Sequence, residues 1–172
     1  MINILKSRIL KGVVTRRFLA PISAEAESAG LDMKKLIRKK FGRSLHIREV
    51  DTGSCGACES EIISANNPIY DLQRFGISFV ASPRHADALL VTGPVSKNMV
   101  IALKKTYEAM PEPKFVITLG DCALDGGIFK DSYYVEGAVK DILPVVLHIP
   151  GCPPKPSDII KALSGLLASR SR

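Results

Sequence analysis

The sequence predicts an α/β fold, a parallel sheet with helices on both faces. Three observations predict it. From residue 45 onward, short apolar runs alternate with stretches of helical periodicity. Turn residues rich in Gly, Pro and Asn separate these elements. Three of the five predicted strands run into turns that carry cysteine, at Cys55, Cys122 and Cys152.

The 172 residues, 46% hydrophobic and 24% charged, suffice for one domain with a substantial core. The chain is expected to divide into a basic N-terminal arm and helix over 1–44 and an α/β domain over 45–172. Ile2, Ile4, Leu5, Ile9 and Leu10 among Lys and Arg outline a short amphipathic helix, but Gly12 to Thr15 interrupt it. Residues 1–31 therefore read as an extended arm that packs on a neighbour or stays mobile. A firmer helix spans Met33 to Phe41, with Asp32 as N-cap and Gly42 past its end. Met33, Leu36, Ile37 and Phe41 share one face, and Lys34, Lys35, Arg38 and Lys39 lie largely on the other.

Leu45 to Val50 reads as the first strand, followed by the Cys55 turn and a helix from Cys58 to Ala65. Asn66-Asn67-Pro68 ends that helix, and a short helical stretch over Tyr70 to Phe75 closes at Gly76. Ile77 to Ala81 and Ala88 to Thr92 are the next strands, the latter entering Gly93-Pro94. Lys97 to Met110 is helical, with Met99, Val100, Leu103 and Tyr107 in phase, until Pro111 and Pro113 stop it. Lys114 to Leu119 and Pro144 to Ile149 complete the strands, and Ser157 to Ser169 forms the last helix with Asp158 in its first turn.

In such sheets, ligands bind beyond the carboxyl ends of the strands, near a switch in strand order. The first, third, fourth and fifth strands end at Cys55, Gly93-Pro94, Cys122 and Cys152. A parallel sheet would bring all four thiols to one edge. Cys55-Gly56-Ala57-Cys58 plus two distant cysteines, the last before proline, is ligation suited to an iron–sulfur cluster. Gly53, Gly120 and Gly151 leave bare backbone whose amides can face the sulfurs, and Pro153 and Pro154 stiffen the last turn. Tetrahedral zinc uses the same thiolates, although structural zinc usually takes two close pairs; disulfides or unrelated thiols are the third reading.

Other groups carry weaker signals. Glu59 and Glu61, in the first turn of the helix after Cys58, complement its dipole and are candidates for a proton route. Arg84 and His85 lie in a turn that could bring positive charge toward the thiols. His46 and His148 read as strand histidines, the latter close enough in sequence to the Cys152 loop to tune the site. No catalytic triad, Walker-type loop or dinucleotide fingerprint is present.

The net charge of +7 suits nucleic acid, an anionic membrane surface or an acidic protein. Sparse aromatics and the absence of Trp argue against a stacking surface for single strands. Arg16-Arg17 resembles the start of an export signal, but the acidic stretch after it offers no apolar segment. The thiols are therefore expected to stay in a reducing compartment, and no apolar run is long enough to cross a membrane.

Several segments together resemble the family of [NiFe]-hydrogenase small subunits and the 20 kDa cluster-bearing subunit of NADH:quinone oxidoreductase (complex I). They are the stretch from Asp51 to Ile62, Arg74-Phe75-Gly76-Ile77, Ser82 to Asp87, Val91 to Val95, Gly120-Asp121-Cys122 and Ile149 to Pro154. The spaced Cys55 and Cys58 are similar to energy-converting membrane-bound hydrogenases and formate hydrogenlyase, whereas complex I subunits carry adjacent cysteines here. Gly56-Ala57 departs from the Asn-Gly pair common at this place.

The resemblance implies a flavodoxin-like domain with one [4Fe-4S] cluster on Cys55, Cys58, Cys122 and Cys152. It implies an electron-transfer subunit of an oxidoreductase, beside a hydrogenase-type or complex I-type large subunit that carries the substrate site. Further iron–sulfur and membrane subunits are expected as partners, and nucleic acid is not. The expected place is peripheral, on the cytoplasmic side of the membrane. The alternatives are a quinone-reducing complex I-like module and, from a different class, a zinc-stabilised basic binding module.

Overall fold

The computed structural model describes residues 23–169 together with Lys6 and Leu10. Apart from those two, the expectations for residues 1–22 lie outside the described residues.

Five parallel strands form the central sheet: β1 (Leu45–Asp51), β2 (Ile77–Phe79), β3 (Ala88–Thr92), β5 (Phe115–Leu119) and β7 (Val145–Ile149). β4 (Val95–Ser96) and β6 (Val135–Gly137) pair antiparallel in a small second sheet, which the sequence did not reveal. The central order is β2-β1-β3-β5-β7. With the small sheet set aside, this is the flavodoxin-like doubly wound order, and the switch point falls between β1 and β3.

The helices are α1 (Ala24–Phe41), α2 (Ala57–Ala65), α3 (Val100–Glu108), α4 (Asp121–Asp125) and α5 (Pro156–Ser169). Alternation along the strands builds a core on each face. On one, Ala88 and Leu90 of β3 and Phe115, Ile117 and Leu119 of β5 pack with Met33, Ile37, Ile62 and Leu163. On the other, Leu89, Val91 and Val116 pack with Leu103, Met110, Val139 and Leu143.

α1 begins at Ala24, not at Met33. Ser23 is its N-cap and accepts from the Ala26 N–H, while Asp32 sits mid-helix, paired with Lys35. Ala26, Gly30, Met33 and Ile37 form its buried stripe. Gly30 is needed because a Cβ there would lie 2.6 Å from the Phe75 ring.

Candidate functional site

Four loops meet beyond the carboxyl ends of β1, β3, β5 and β7. Asp51 folds the first, its Oδ1 accepting from the N–H groups of Gly53 and Ser54 at 2.8 and 2.7 Å. The buried Thr52 hydroxyl has the Thr92 carbonyl at 2.8 Å, with those of Gly93 and Pro94 also within reach, and so ties this loop to the one after β3. Gly93 permits that approach, since a Cβ on it would stand 2.5 Å from the Ser54 nitrogen.

The loops after β5 and β7 are laced together. Gly120 N–H donates to the Ile149 carbonyl at 2.9 Å, Asp121 N–H to the Gly151 carbonyl at 3.0 Å, and Gly151 N–H to Asp121 Oδ1 at 2.8 Å. His148 stands behind this lacing, its Nδ1 3.0 Å from the Thr118 hydroxyl. Burial lowers its pKa below the ordinary value, against the opposing pull of Asp121 and Asp125.

Cys55, Cys58, Cys122 and Cys152 all line the cleft that these loops enclose, about 300 Å³ of atom-free space partly open to solvent. All four are free thiols, Cys55 and Cys152 exposed and the other two half-buried. Gly120 forms the floor, where a Cβ would lie 2.6 Å from Cys58 Sγ. Burial, then the Glu59 carboxylate and the other three thiols, pushes the Cys58 thiol up to about 12. Burial and Cys152 likewise raise Cys122. Among the described residues, no Lys, Arg or His lines the cleft. Among the described residues, no three Cys, His, Asp or Glu side chains are grouped so as to hold a single metal ion.

The other candidates separate. Glu59, in the first turn of α2, has both carboxylate oxygens buried without a hydrogen-bond partner. Glu61 falls beyond that turn and is half-buried; neither carboxylate lines the cleft, but the charge of Glu59 acts on the Cys58 thiol. Gly53 belongs to the Asp51 turn, while Gly120 and Gly151 line the cleft. Arg84 and His85 are not beside the thiols: the His85 carbonyl is 3.1 Å from the ring of His46, the second residue of β1. The connection from β2 to β3 crosses the sheet low, about 16 Å of strand from Asp51. Thr52 and Asp121 are the positioning residues that sequence reasoning undervalued; their signal was a small polar residue beside a glycine in a strand-end turn.

The model for the NADH ubiquinone oxidoreductase 20 kDa subunit family matches residues 55–166. Formate hydrogenlyase subunit 7 of Escherichia coli is 40% identical over 157 residues, 91% of this chain and 59% of that protein. The probable membrane-bound hydrogenase subunit mbhJ of Pyrococcus furiosus is 46% identical over 122 residues, 71% of this chain and 73% of that one. An NADH-quinone oxidoreductase subunit of a Geobacter species is 44% identical over 115 residues, 67% of each chain. Among solved structures, a chain of the archaeal membrane-bound sulfane sulfur reductase superposes with a TM-score of 0.66 at 33% identity, covering 80% of this chain and 74% of that one. An NAD⁺-reducing [NiFe]-hydrogenase chain, at 19% identity, TM-score 0.57 and coverage of 74% and 93%, shares the fold. With a fold and a matched segment that both include all four thiols, the chain belongs to the NADH ubiquinone oxidoreductase 20 kDa subunit family.

Proposed function

We propose that this chain is the electron-transfer subunit of a membrane-associated hydrogenase-type complex, with Cys55, Cys58, Cys122 and Cys152 holding one [4Fe-4S] cluster. The observation that carries the reading is the convergence of four free thiols from three loops on one cleft. The donor set fits the group. Thiolates are the donors that iron–sulfur centres take, and the raised thiols of Cys58 and Cys122, in a cleft that no basic side chain of the described residues lines, need a cationic centre to ionise.

When bound, the cluster supplies reversible one-electron exchange. The chain's residues position and shield the site: Thr52 and Asp51 fix the first loop, Asp121 joins the second to the third, and Gly93 and Gly120 let backbone and sulfur approach. Glu59 is better placed than Glu61 on a proton route beside the thiols, because its charge acts on the Cys58 thiol and its carboxylate oxygens are buried without a hydrogen-bond partner among the described residues. Substrate chemistry belongs to the large subunit. The Cys55-Gly56-Ala57-Cys58 spacing favours the hydrogenase branch over a quinone-reducing complex I-like module. Among the described residues no helix is long and apolar enough to cross a membrane, so attachment as a peripheral subunit is the arrangement proposed.

The test is electron paramagnetic resonance with metal and sulfide analysis on the anaerobically purified, reduced complex. The expected result is one reducible iron–sulfur signal assigned to this chain. Zinc without reducible iron overturns the reading.

A further inference from the structure

Among the described residues, the central sheet has an unfinished edge. β2 pairs with β1 only as far as Ile47 opposite Phe79, and its ladder closes with the Val80 N–H donating to the Ile47 carbonyl at 2.9 Å. On the other side β3 accompanies β1 to Asp51. Along a strand, the backbone groups of alternate residues point to the same neighbour. The N–H and carbonyl of Glu49 and the N–H of Asp51 therefore face the side that β2 has left, where β2 gives them no bond.

A second cleft lies against Glu49, separate from the thiols and about 620 Å³ in atom-free space. Arg48, Glu49, Ile62 and Asn66 line it with Val80 and Ala81, where the chain turns away from the sheet. Nε of Arg48 is buried and has no hydrogen-bond partner. The cleft thus offers the main-chain donor and acceptor of Glu49, with the Asp51 N–H continuing the same row beyond its lining, and it lies beside the Arg48 guanidinium, whose buried Nε lacks an acceptor. An open edge of this kind is a template for strand addition, and natural sheets usually cover or blunt it.

We propose that an extended segment of a partner subunit adds to the sheet here, as a short strand of about three or four residues beside Glu49 and Asp51. The segment presents a neutral carbonyl oxygen to the Arg48 guanidinium, because the Glu49 carboxylate on the same cleft, with Glu59 and Asp51 near it, disfavours a second carboxylate. Main-chain pairing fits an extended peptide and not a helix, whose own backbone bonds are already made. The inference rests on the reading of this chain as one subunit of a complex, but not on the identity of its metal.

Hydrogen exchange on the assembled complex, compared with the isolated full chain, tests it, together with a photoreactive residue incorporated at the exposed position Ala81. Assembly should slow exchange at the Glu49 and Asp51 amides by about tenfold or more, the value of one buried hydrogen bond. The crosslink should map to an extended segment of another subunit. Glu49→Pro removes the donor that faces the cleft and spares the β3 ladder, which Arg48 and Val50 serve, while Glu49→Ala controls for the lost carboxylate; the proline variant, and not the alanine one, should lower incorporation into the complex while iron content per chain stays unchanged. Should the proline variant not fold, Ala81→Trp, which blocks the cleft from its lip, should weaken assembly in the same way. Unchanged exchange at both amides, crosslinking to a helix, a lipid or a second copy of this chain, or normal assembly of the folded Glu49→Pro or Ala81→Trp chain overturns the proposal. Iron measured on the same samples separates its failure from that of the metal reading.

Discussion

At the amino-terminal rim of the sheet, polar groups are matched. Arg43 donates to both oxygens of Asp87 at 2.9 and 2.8 Å, the same carboxylate accepts from the His46 N–H at 2.9 Å, and Asp87 N–H donates to the His46 carbonyl at 2.8 Å. The carboxyl-terminal rim differs. It holds four free thiols, the Glu59 carboxylate buried without a partner and the equally unpartnered Thr92 hydroxyl. A buried polar group left unmade costs about 1–3 kcal/mol. The amino rim is closed on itself and serves stability; the carboxyl rim, among the described residues, is left short of partners at the place proposed for the iron–sulfur centre.

The widest break between the rims should come from Gly120→Val. Its side chain would occupy space 2.6 Å from Cys58 Sγ, at a φ of +86° that a branched side chain rarely adopts, so nearly all bound iron should be lost and the denaturation midpoint should fall, while circular dichroism of the native state changes little. Loss of fold along with iron would show that the thiol rim also bears structural weight.

The iron-free chain should next reveal the strain of crowding thiols together. Cys58 rises from an ordinary 9.0 to about 12, burial first and neighbouring negative charge after it. The folded state then keeps a proton through the window from 9.0 to about 12 that the unfolded state has released, so stability must fall as pH rises across it. Urea denaturation at pH about 8 and about 11 should show this decline without iron and a weaker one with it. A flat profile in the iron-free chain contradicts the crowding.

At the other rim, Asp87→Ala should cost about 1–3 kcal/mol by removing an acceptor shared by a guanidinium and a backbone N–H. Chemical denaturation reads the cost, and iron content should be unchanged. Iron loss in this variant would mean that the two rims are coupled through β1.

The sheet and the thiol convergence were legible because strand period, turn residues and the carboxyl-end rule act locally. The first half of α1 was not, since Ala24 to Leu31 holds few large apolar residues and Gly30 reads as a breaker until Phe75 is seen against it. Arg84 and His85 were misplaced because sequence does not give the height at which a crossover traverses a sheet. Ile77 to Ala81 reads as five strand residues, but only Ile77–Phe79 pair. That overlong reading conceals the open edge at Glu49, which depends on where β2 lets go.

The central claim is that four thiols from separate loops serve one iron–sulfur centre. Native mass spectrometry and acid-labile sulfide analysis of the anaerobically purified complex, wild type against Cys122→Ser, test it most directly. Iron and sulfide in equal amounts are predicted on the wild-type chain, with their loss or conversion in the variant. Zinc in place of iron, or a Cys122→Ser chain with an unaltered iron–sulfur complement, would contradict it.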